Sequence, residues 1–269
     1  MADPAPSSLV YRHRLATRLW HWVNVVALVV LLMSGLMIFN AHPRLYWGSY
    51  GANFDAAWLQ VGATADAGYL RIGSMHIPTT GVLGRWTDAQ GAAQTRAFPG
   101  WATIPSNYDL AMARRWHLTF AWALAFPLLF YMLASLGNRH FRRDLVLRRE
   151  EVRPRHLWAD VKAHLRLRFH DADQPAAYNT LQKLSYIAVI FVLIPVMIGT
   201  GLAMSPNMEA AWPWLLDLFG GRQSARSLHF IAAVGLVAFT MVHVALVLLA
   251  GPVNELRSIV TGWFRVPAA

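Results

Sequence analysis

Two histidines interrupt a long apolar stretch near the end of the chain. The stretch runs from Ser227 to Asn254 without an acidic residue, a lysine or an arginine, and it contains His229 and His243. Its 28 residues are enough to cross the roughly 30 Å hydrocarbon core of a bilayer as one helix. The two histidines are 14 residues apart, so in a helix they project from nearly one face, about 21 Å apart along the axis. Ionisable side chains are costly inside a membrane, which makes both histidines candidate functional residues.

Two further histidines stand at the beginning of other apolar runs. His21 lies in the segment RLWHWVN, and His117 lies in the segment RRWH. A single histidine in a membrane can also have a purely structural role, in which it hydrogen-bonds to a neighbouring helix. Whether each histidine is a ligand therefore depends on which other histidines the fold places beside it.

Four apolar runs predict an all-α integral membrane protein, a four-transmembrane-helix bundle in which residues 1–269 form a single domain. Hydrophobic residues make up 56% of the chain and charged residues only 14%, which is typical of polytopic membrane proteins. The 12 tryptophans and 13 phenylalanines suit aromatic belts at the membrane surfaces. The four predicted spans cover about residues 19–40, 116–137, 184–204 and 227–250.

The basic residues predict the orientation of these spans. Arg12, Arg14 and Arg18 precede the first span, which places the N-terminus in the cytoplasm by the positive-inside rule. Residues 139–183 carry 11 lysines and arginines and are predicted to form a cytoplasmic loop. The segment 41–113 then becomes a long extracytoplasmic loop between the first two spans. The C-terminus is also expected in the cytoplasm.

The segments outside the spans carry three smaller expectations. Residues 1–16 are predicted to be a mobile tail, and residues 154–168 an amphipathic helix on anionic lipid. The long loop is rich in Gly, Trp and Pro, and its turn sequences indicate short hairpins. A loop of this length in a compact bundle usually has a task, and we expect it to dock a partner, although a simple cap over the bundle fits equally well.

The predicted orientation sorts the four histidines into two pairs at two depths. His21 and His243 lie near the cytoplasmic surface, and His117 and His229 lie near the outer surface. Two bis-histidine haems b stacked across a membrane require this arrangement of ligands. Coincidence explains this pairing poorly.

Arginines lie close to these histidines in the sequence, and the first span contains two adjacent small residues. Arg18 and Arg226 each precede a histidine by three residues, and Arg114 and Arg115 come directly before Trp116 and His117. Such cations can meet haem propionates, or they can serve as ordinary interfacial anchors. Ser34 and Gly35 in the first span form a small patch that would let a helix or a flat cofactor approach closely.

Composition excludes several other classes of site. The chain has no cysteine, so it has no disulfide, no haem attached through C-x-x-C-H, and no thiolate-held iron–sulfur cluster or zinc. Its formal charge of +10 comes largely from cations beside the apolar spans, where anionic lipid explains them better than nucleic acid does. We therefore expect membrane lipid as a partner and no nucleic acid.

The motifs RLWHWVN, RRWH and H-x13-H together resemble the bacterial cytochrome b-561 superfamily. Within it, the chain is similar to the di-haem cytochrome b membrane subunits of Ni,Fe-hydrogenase, formate dehydrogenase (gamma subunit) and thiosulfate reductase, over all four spans. The resemblance implies two haems b, with His21 and His243 as axial ligands of the cytoplasmic-side haem iron and His117 and His229 of the outer one. Arg18, Arg115 and Arg226 are then cofactor-binding candidates.

The resemblance also implies electron transfer in the bacterial inner membrane. The expected function is to carry electrons between the quinone pool and a periplasmic redox subunit, as the electron-transfer subunit of a quinone-linked oxidoreductase complex. The loop is longer than in the simplest family members, and its sequence FNAHPRLYWG is more similar to the branch found with periplasmic molybdopterin oxidoreductases. Quinone is expected near the cytoplasmic-side haem, where His140 and Asp144 are candidate proton acceptors.

Two other interpretations remain open. The first is a haem-free membrane transporter whose histidine pairs translocate a metal ion or protons. Such pathways commonly use carboxylates, and no acidic residue lies in any predicted span. The second is a pure membrane anchor, which leaves the paired depths of the histidines unexplained.

Overall fold

Four long helices dominate the structure, a computed structural model that describes residues 8–137, 147, 151–165 and 180–266. They are α1 (Leu15–Phe39), α2 (Leu110–Gly137), α4 (Thr180–Met204, with a π-helical segment at Val189–Leu193) and α7 (Arg222–Ala250). Each is long and apolar enough to cross a membrane. The four predicted spans are therefore confirmed as helices.

All four helices begin earlier than the sequence indicates. The residues that each helix adds before its predicted span include polar or basic side chains, which lower the hydropathy without breaking the helix. Arginine can extend its charged group to the headgroup region while its stem stays on the helix surface. The polypeptide between α1 and α2 is accordingly residues 40–109, not 41–113.

The chain forms two compact units, and each long helix contributes residues to both. We call 1–24, 127–194 and 234–269 the terminal unit, because it contains both chain ends. We call 25–126 and 195–233 the loop unit, because it contains the long connection between α1 and α2. His21 and His243 belong to the terminal unit, and His117 and His229 belong to the loop unit.

In the terminal unit, the two chain ends pair with each other. Strand β1 (Ser8–Tyr11) lies antiparallel to β8 (Trp263–Val266), with Tyr11 opposite Trp263. Arg12 forms an ion pair with Glu255 at 3.3 Å. The prediction of a mobile tail over residues 1–16 is therefore wrong for residues 8–11, because a distant strand supplies their hydrogen bonds.

Two further helices complete the described part of the terminal unit. Helix α8 (Pro252–Thr261) precedes β8, and it contains Glu255. Helix α3 (Pro154–Leu165) lies in the predicted basic segment and matches the predicted amphipathic helix, whose contact with lipid stays a prediction. His140 and Asp144 lie outside the described residues.

In the loop unit, the residues between α1 and α2 form a small antiparallel sheet. Its order is β2 (Arg44–Leu45), β3 (Leu59–Ala63), β4 (Gly68–Ile72) and β5 (Met75–Pro78). A second hairpin pairs β6 (Trp86–Thr87) with β7 (Ala93–Gln94). The predicted hairpins are therefore present. The apolar face of the sheet packs in a cluster formed by Phe39, Leu45, Leu59, Val61 and Ala97.

Buried hydrogen bonds hold this segment to the first turns of α7. The indole Nε1 of Trp58 donates to Ser227 Oγ at 2.9 Å, and Ser227 Oγ donates to the carbonyl of Tyr46 at 2.6 Å. The backbone NH of Gly48 donates to Ser224 Oγ at 2.7 Å. Because Ser227 is fully buried and only two residues before His229, these bonds fix the start of α7 and with it the position of His229.

The remaining helices are short. Helices α5 (Pro206–Ala211) and α6 (Trp214–Leu218) connect α4 to α7 within the loop unit. Arg222 bonds the carbonyl of Met204 at 3.0 Å and the carboxylate of Glu209, which ties this connection to the beginning of α7.

Candidate functional site

The structure places the four predicted histidines in two pairs. In the loop unit, the ring centres of His117 and His229 are 6.2 Å apart, and the ring planes are inclined by 55°. In the terminal unit, the ring centres of His21 and His243 are 6.4 Å apart, and the planes are inclined by 56°. The pairs that the sequence predicts are therefore the pairs that the structure brings together.

The separation of the rings is informative about what fits between them. A direct N–H···N hydrogen bond of about 3 Å would put two imidazole centres about 5 Å apart. One metal ion bound by a nitrogen of each ring, at about 2 Å per bond, would put the centres about 6 Å apart. Both observed separations are closer to the second case, so the rings of each pair are spaced as two ligands of one metal ion would be.

In the loop unit, each histidine is held by a hydroxyl on a neighbouring helix. His117 Nδ1 lies 3.0 Å from Ser34 Oγ, and His229 Nδ1 lies 2.9 Å from Thr200 Oγ1. Ser34 Oγ also donates to the carbonyl of Val30, and Thr200 Oγ1 to the carbonyl of Val196, both at 2.6 Å.

These contacts determine the tautomer of both rings. A hydroxyl has one proton, and in Ser34 and Thr200 that proton is already donated to a backbone carbonyl. The hydroxyl oxygen must then accept from the histidine, so Nδ1 carries the hydrogen and Nε2 keeps its lone pair. A neutral histidine with a free Nε2 is the form that binds a metal.

A glycine follows each of these hydroxyl residues and leaves room for the ring. A Cβ added at Gly35 would lie 3.3 Å from Cε1 of His117, and one added at Gly201 would lie 3.5 Å from Cε1 of His229. The first of these distances is tighter than ordinary van der Waals contact. The Ser34–Gly35 dipeptide on α1 and the Thr200–Gly201 dipeptide on α4 thus both contact a histidine ring, and only at Gly35 would a side chain crowd that ring.

The terminal-unit pair has a different environment. The ring of His243 stacks on Phe239 with centres 5.8 Å apart, and His21 meets Trp22 edge to face at 5.2 Å. Among the residues that the structure describes, none bonds the buried Nδ1 of His21, Nε1 of Trp20 or Nε of Arg18. Buried donors normally have acceptors, and the carboxylates of a haem would be suitable acceptors for the indole of Trp20 and the guanidinium of Arg18.

The three candidate arginines differ in their contacts. Arg18 bonds the carbonyl of Val260, and Arg226 bonds the carbonyl of His42 and lies over the Phe39 ring at 5.5 Å. Arg115 is exposed on α2. Arg18 and Arg226 are thus each held by a backbone carbonyl, whereas none of the described contacts involves the Arg115 side chain.

The other described histidines have separate surroundings. Burial, followed by the charge of Arg12, lowers the pKa of His13 to about 4, so this half-buried ring is neutral at neutral pH. His76 is exposed on β5, and His156 bonds Thr180 at 3.2 Å. Within the described ranges, no three His, Cys, Asp or Glu side chains cluster so as to hold a metal ion.

Sequence reasoning gave no role to Thr200. The only signal was the repetition of a hydroxyl residue followed by glycine, once in the first span and once in the third. That signal becomes interpretable only when the structure shows which histidine each dipeptide faces.

Comparison with known proteins decides the family. A model of the family described as prokaryotic cytochrome b561 matches residues 12–262. The chain belongs to this family. It is therefore an integral membrane protein, and because b-type cytochromes carry haem b, family membership implies that cofactor. The geometry of both histidine pairs fits it.

Two relatives of this cytochrome cover most of its length. A protein of Azospira oryzae, named as the protein-methionine-sulfoxide reductase subunit YedZ1, is 28% identical over 86% of this chain and 87% of its own. A protein of Cupriavidus necator, named as a Ni/Fe-hydrogenase B-type cytochrome subunit, is 24% identical over 87% of this chain and 77% of its own. No solved structure matches the chain.

Proposed function

We propose that this cytochrome carries electrons across the bacterial inner membrane between the quinone pool and a periplasmic redox subunit. The observation that carries the proposal is the presence of two histidine pairs, each with the ring separation of a bis-histidine iron site. Helix α7 provides one member of each pair. The family membership favours this function over a haem-free transporter.

The chain's own residues have distinct roles in this proposal. His117 and His229 would hold one haem b, and His21 and His243 would hold the other. Haem b held by these residues would supply one-electron transfer. Ser34 and Thr200 keep the loop-unit imidazoles neutral and oriented, and Arg18, Arg115 and Arg226 would offset the negative charge of propionates.

The quinone is proposed to react beside the terminal unit, with both chain ends in the cytoplasm. Oxidation of a quinol releases two electrons and two protons, so this side needs proton acceptors as well as an electron acceptor. His140 and Asp144 remain the proposed acceptors. Proton release on one side and electron delivery on the other would couple the reaction to the membrane potential.

The partner is proposed to dock on the segment between α1 and α2. Tyr50 is 90% exposed and Phe54 fully exposed, and aromatic side chains are enriched at protein interfaces. Both relatives are named as subunits of redox enzymes, which supports a redox partner here. The loop sequence favours a periplasmic molybdopterin oxidoreductase as that partner.

Electron entry from quinol tests the proposal. Purified haem-loaded protein in liposomes should be reduced by a short-chain quinol, and an impermeant oxidant outside the liposomes should then reoxidise it. The α-band absorbance reports both steps. Reduction by dithionite without reduction by any of several quinols would overturn the quinone assignment, and failure of reoxidation in both protein orientations would overturn transmembrane transfer.

A further inference from the structure

A polar cavity of about 450 Å³ opens within the loop unit, where the sheet follows the end of α1. Two arginines, Arg44 and Arg96, lie in its wall. The lining also includes Gln60, Tyr69 and Tyr108, and it contains no aspartate or glutamate. This cavity is separate from the histidine pair of the loop unit, since neither His117 nor His229 lines it.

The cationic lining is a local concentration of charge and not a property of the whole segment. Residues 40–109 contain four arginines and four aspartates, so the segment has no net charge. The arginines are Arg44, Arg71, Arg85 and Arg96, and the aspartates are Asp55, Asp66, Asp88 and Asp109. Two of the arginines and none of the aspartates line the cavity, which makes it favourable for an anion.

Two aromatic rings position the guanidinium of Arg96, one of whose N–H donors lacks an acceptor among the described residues. Its guanidinium lies over the ring of Trp86 at 5.4 Å and near the ring of Tyr108 at 5.9 Å. Its Nη1 is buried, and none of the residues described in the structure accepts a bond from it. A buried guanidinium N–H without an acceptor is costly, and an oxyanion would remove that cost.

The hydroxyl of Tyr69 is a second donor, and it lies at the end of a chain of hydrogen bonds that crosses the sheet. Arg71 Nη2 donates to Gln60 Oε1 at 3.0 Å, and Gln60 Nε2 donates to Tyr69 Oη at 2.8 Å. Tyr69 Oη thus acts as an acceptor in this relay, and its own proton stays available. A chain of bonds that begins at a cation polarises the last hydroxyl and strengthens it as a donor.

Arg44 and His42 are the remaining basic side chains in the cavity lining. Arg44 donates through Nη1 to the carbonyl of Asn53, and no described residue accepts from its other guanidinium hydrogens, which can serve a ligand. Burial, followed by the charges of Arg226 and Arg44, lowers the pKa of His42. His42 is therefore neutral at neutral pH, and the two arginines supply the charge of the site.

We propose that this cavity binds the phosphate group of a small ligand through Arg44, Arg96 and Tyr69. A phosphate has three strong acceptor oxygens, which matches two guanidinium groups and one hydroxyl better than a single carboxylate does. The proposal is independent of haem binding. The phosphate can come from a free anion or from a lipid headgroup, since the cavity begins directly after α1, a helix that can span a membrane.

Calorimetric titration of the detergent-solubilised, haem-loaded full chain tests the proposal with two probes, inorganic phosphate and dihexanoyl phosphatidylglycerol. At least one should bind saturably, at one site per chain. Arg96→Gln should weaken that binding about tenfold to a hundredfold, because it removes a charged hydrogen bond. Tyr69→Phe, which removes only a hydroxyl, should weaken it up to about tenfold.

Arg85→Gln is the matched control, because it removes the same charge from the same segment without touching the cavity lining. It should leave the affinity unchanged. An unaltered haem spectrum in each variant shows that the chain is folded. Binding of phosphate alone identifies a free anion as the ligand, and binding of the lipid alone identifies a headgroup. No saturable binding of either probe, or equal losses in Arg96→Gln and Arg85→Gln, would overturn the proposal.

Discussion

His229→Ala should leave the protein with about one haem per chain in place of about two. The variant removes one axial ligand from the loop-unit pair, whose ring centres are 6.2 Å apart, and leaves His21 and His243 intact. Transfer from quinol to an outside acceptor should fall by more than about a hundredfold, since even indirect changes at metal sites cost about 10- to 100-fold. Haem quantification and stopped-flow reduction measure the two effects.

Double variants separate the two sites. His117→Ala combined with His229→Ala should behave like either single variant, because both residues serve one iron, whereas His229→Ala combined with His243→Ala should lose both haems. His76→Ala is the control, since this histidine is exposed on β5 and should be silent. The pairing is wrong if His117→Ala and His243→Ala remove the same spectral component.

Thr200→Val should loosen the loop-unit haem without abolishing it. The valine keeps the shape of threonine but removes the oxygen that accepts from His229 Nδ1 at 2.9 Å. Loss of such a supporting bond costs about 10- to 100-fold in metal-site affinity or activity. It should also raise the midpoint potential of that centre by on the order of tens of millivolts, because a less basic imidazole stabilises ferric iron less. Ser34→Ala should act in the same direction through His117.

Thr240→Val provides a closely matched comparison. Thr240 is also in a membrane helix and also donates to a carbonyl one turn earlier, that of Leu236 at 2.8 Å. Thr200→Ser should behave like the wild type, because serine keeps the hydroxyl that valine lacks. Redox titration followed in the α-band gives the potentials. Equal behaviour of Thr200→Val and Thr240→Val would show that the hydroxyl does not position the ligand.

The histidine pairs could be predicted from the sequence because topology alone determines them. Four apolar runs, with His21 and His117 at the start of two of them, leave little choice about which histidines share a depth. The structure brings His21 to His243 and His117 to His229 as that reasoning requires. Membrane spans are favourable for such inference, since a helix that crosses a bilayer has a fixed direction and a nearly fixed length.

Contacts between distant parts of the chain could not be predicted in this way. The pairing of β1 with β8 joins residues more than 250 positions apart, and no local pattern marks the first strand. Thr200 resembles any other threonine in an apolar helix until its partner is known. The bonds of Trp58 and Ser227 also depend on a loop segment folding back onto a helix far along the sequence.

The absence of partners around the buried donors could not be predicted from the sequence. Arg96 reads as an ordinary surface cation, and only its position over Trp86 and its buried Nη1 distinguish it. The same holds for Arg18, whose role as a propionate ligand was expected from its distance to His21 but whose buried Nε appears only in three dimensions. Such sites are recognised by a buried donor that lacks an acceptor, which only the three-dimensional structure shows.

The most direct test of the central claim is the haem content of the purified wild-type protein, measured with its dithionite-reduced minus oxidised spectrum. Two bis-histidine sites predict a b-type spectrum, about two haems b per chain, and low-spin iron in both. A colourless protein, produced with adequate haem supply, would contradict the proposed function. A stoichiometry of about one haem, with His117→Ala and His243→Ala affecting the same centre, would contradict the two-site arrangement.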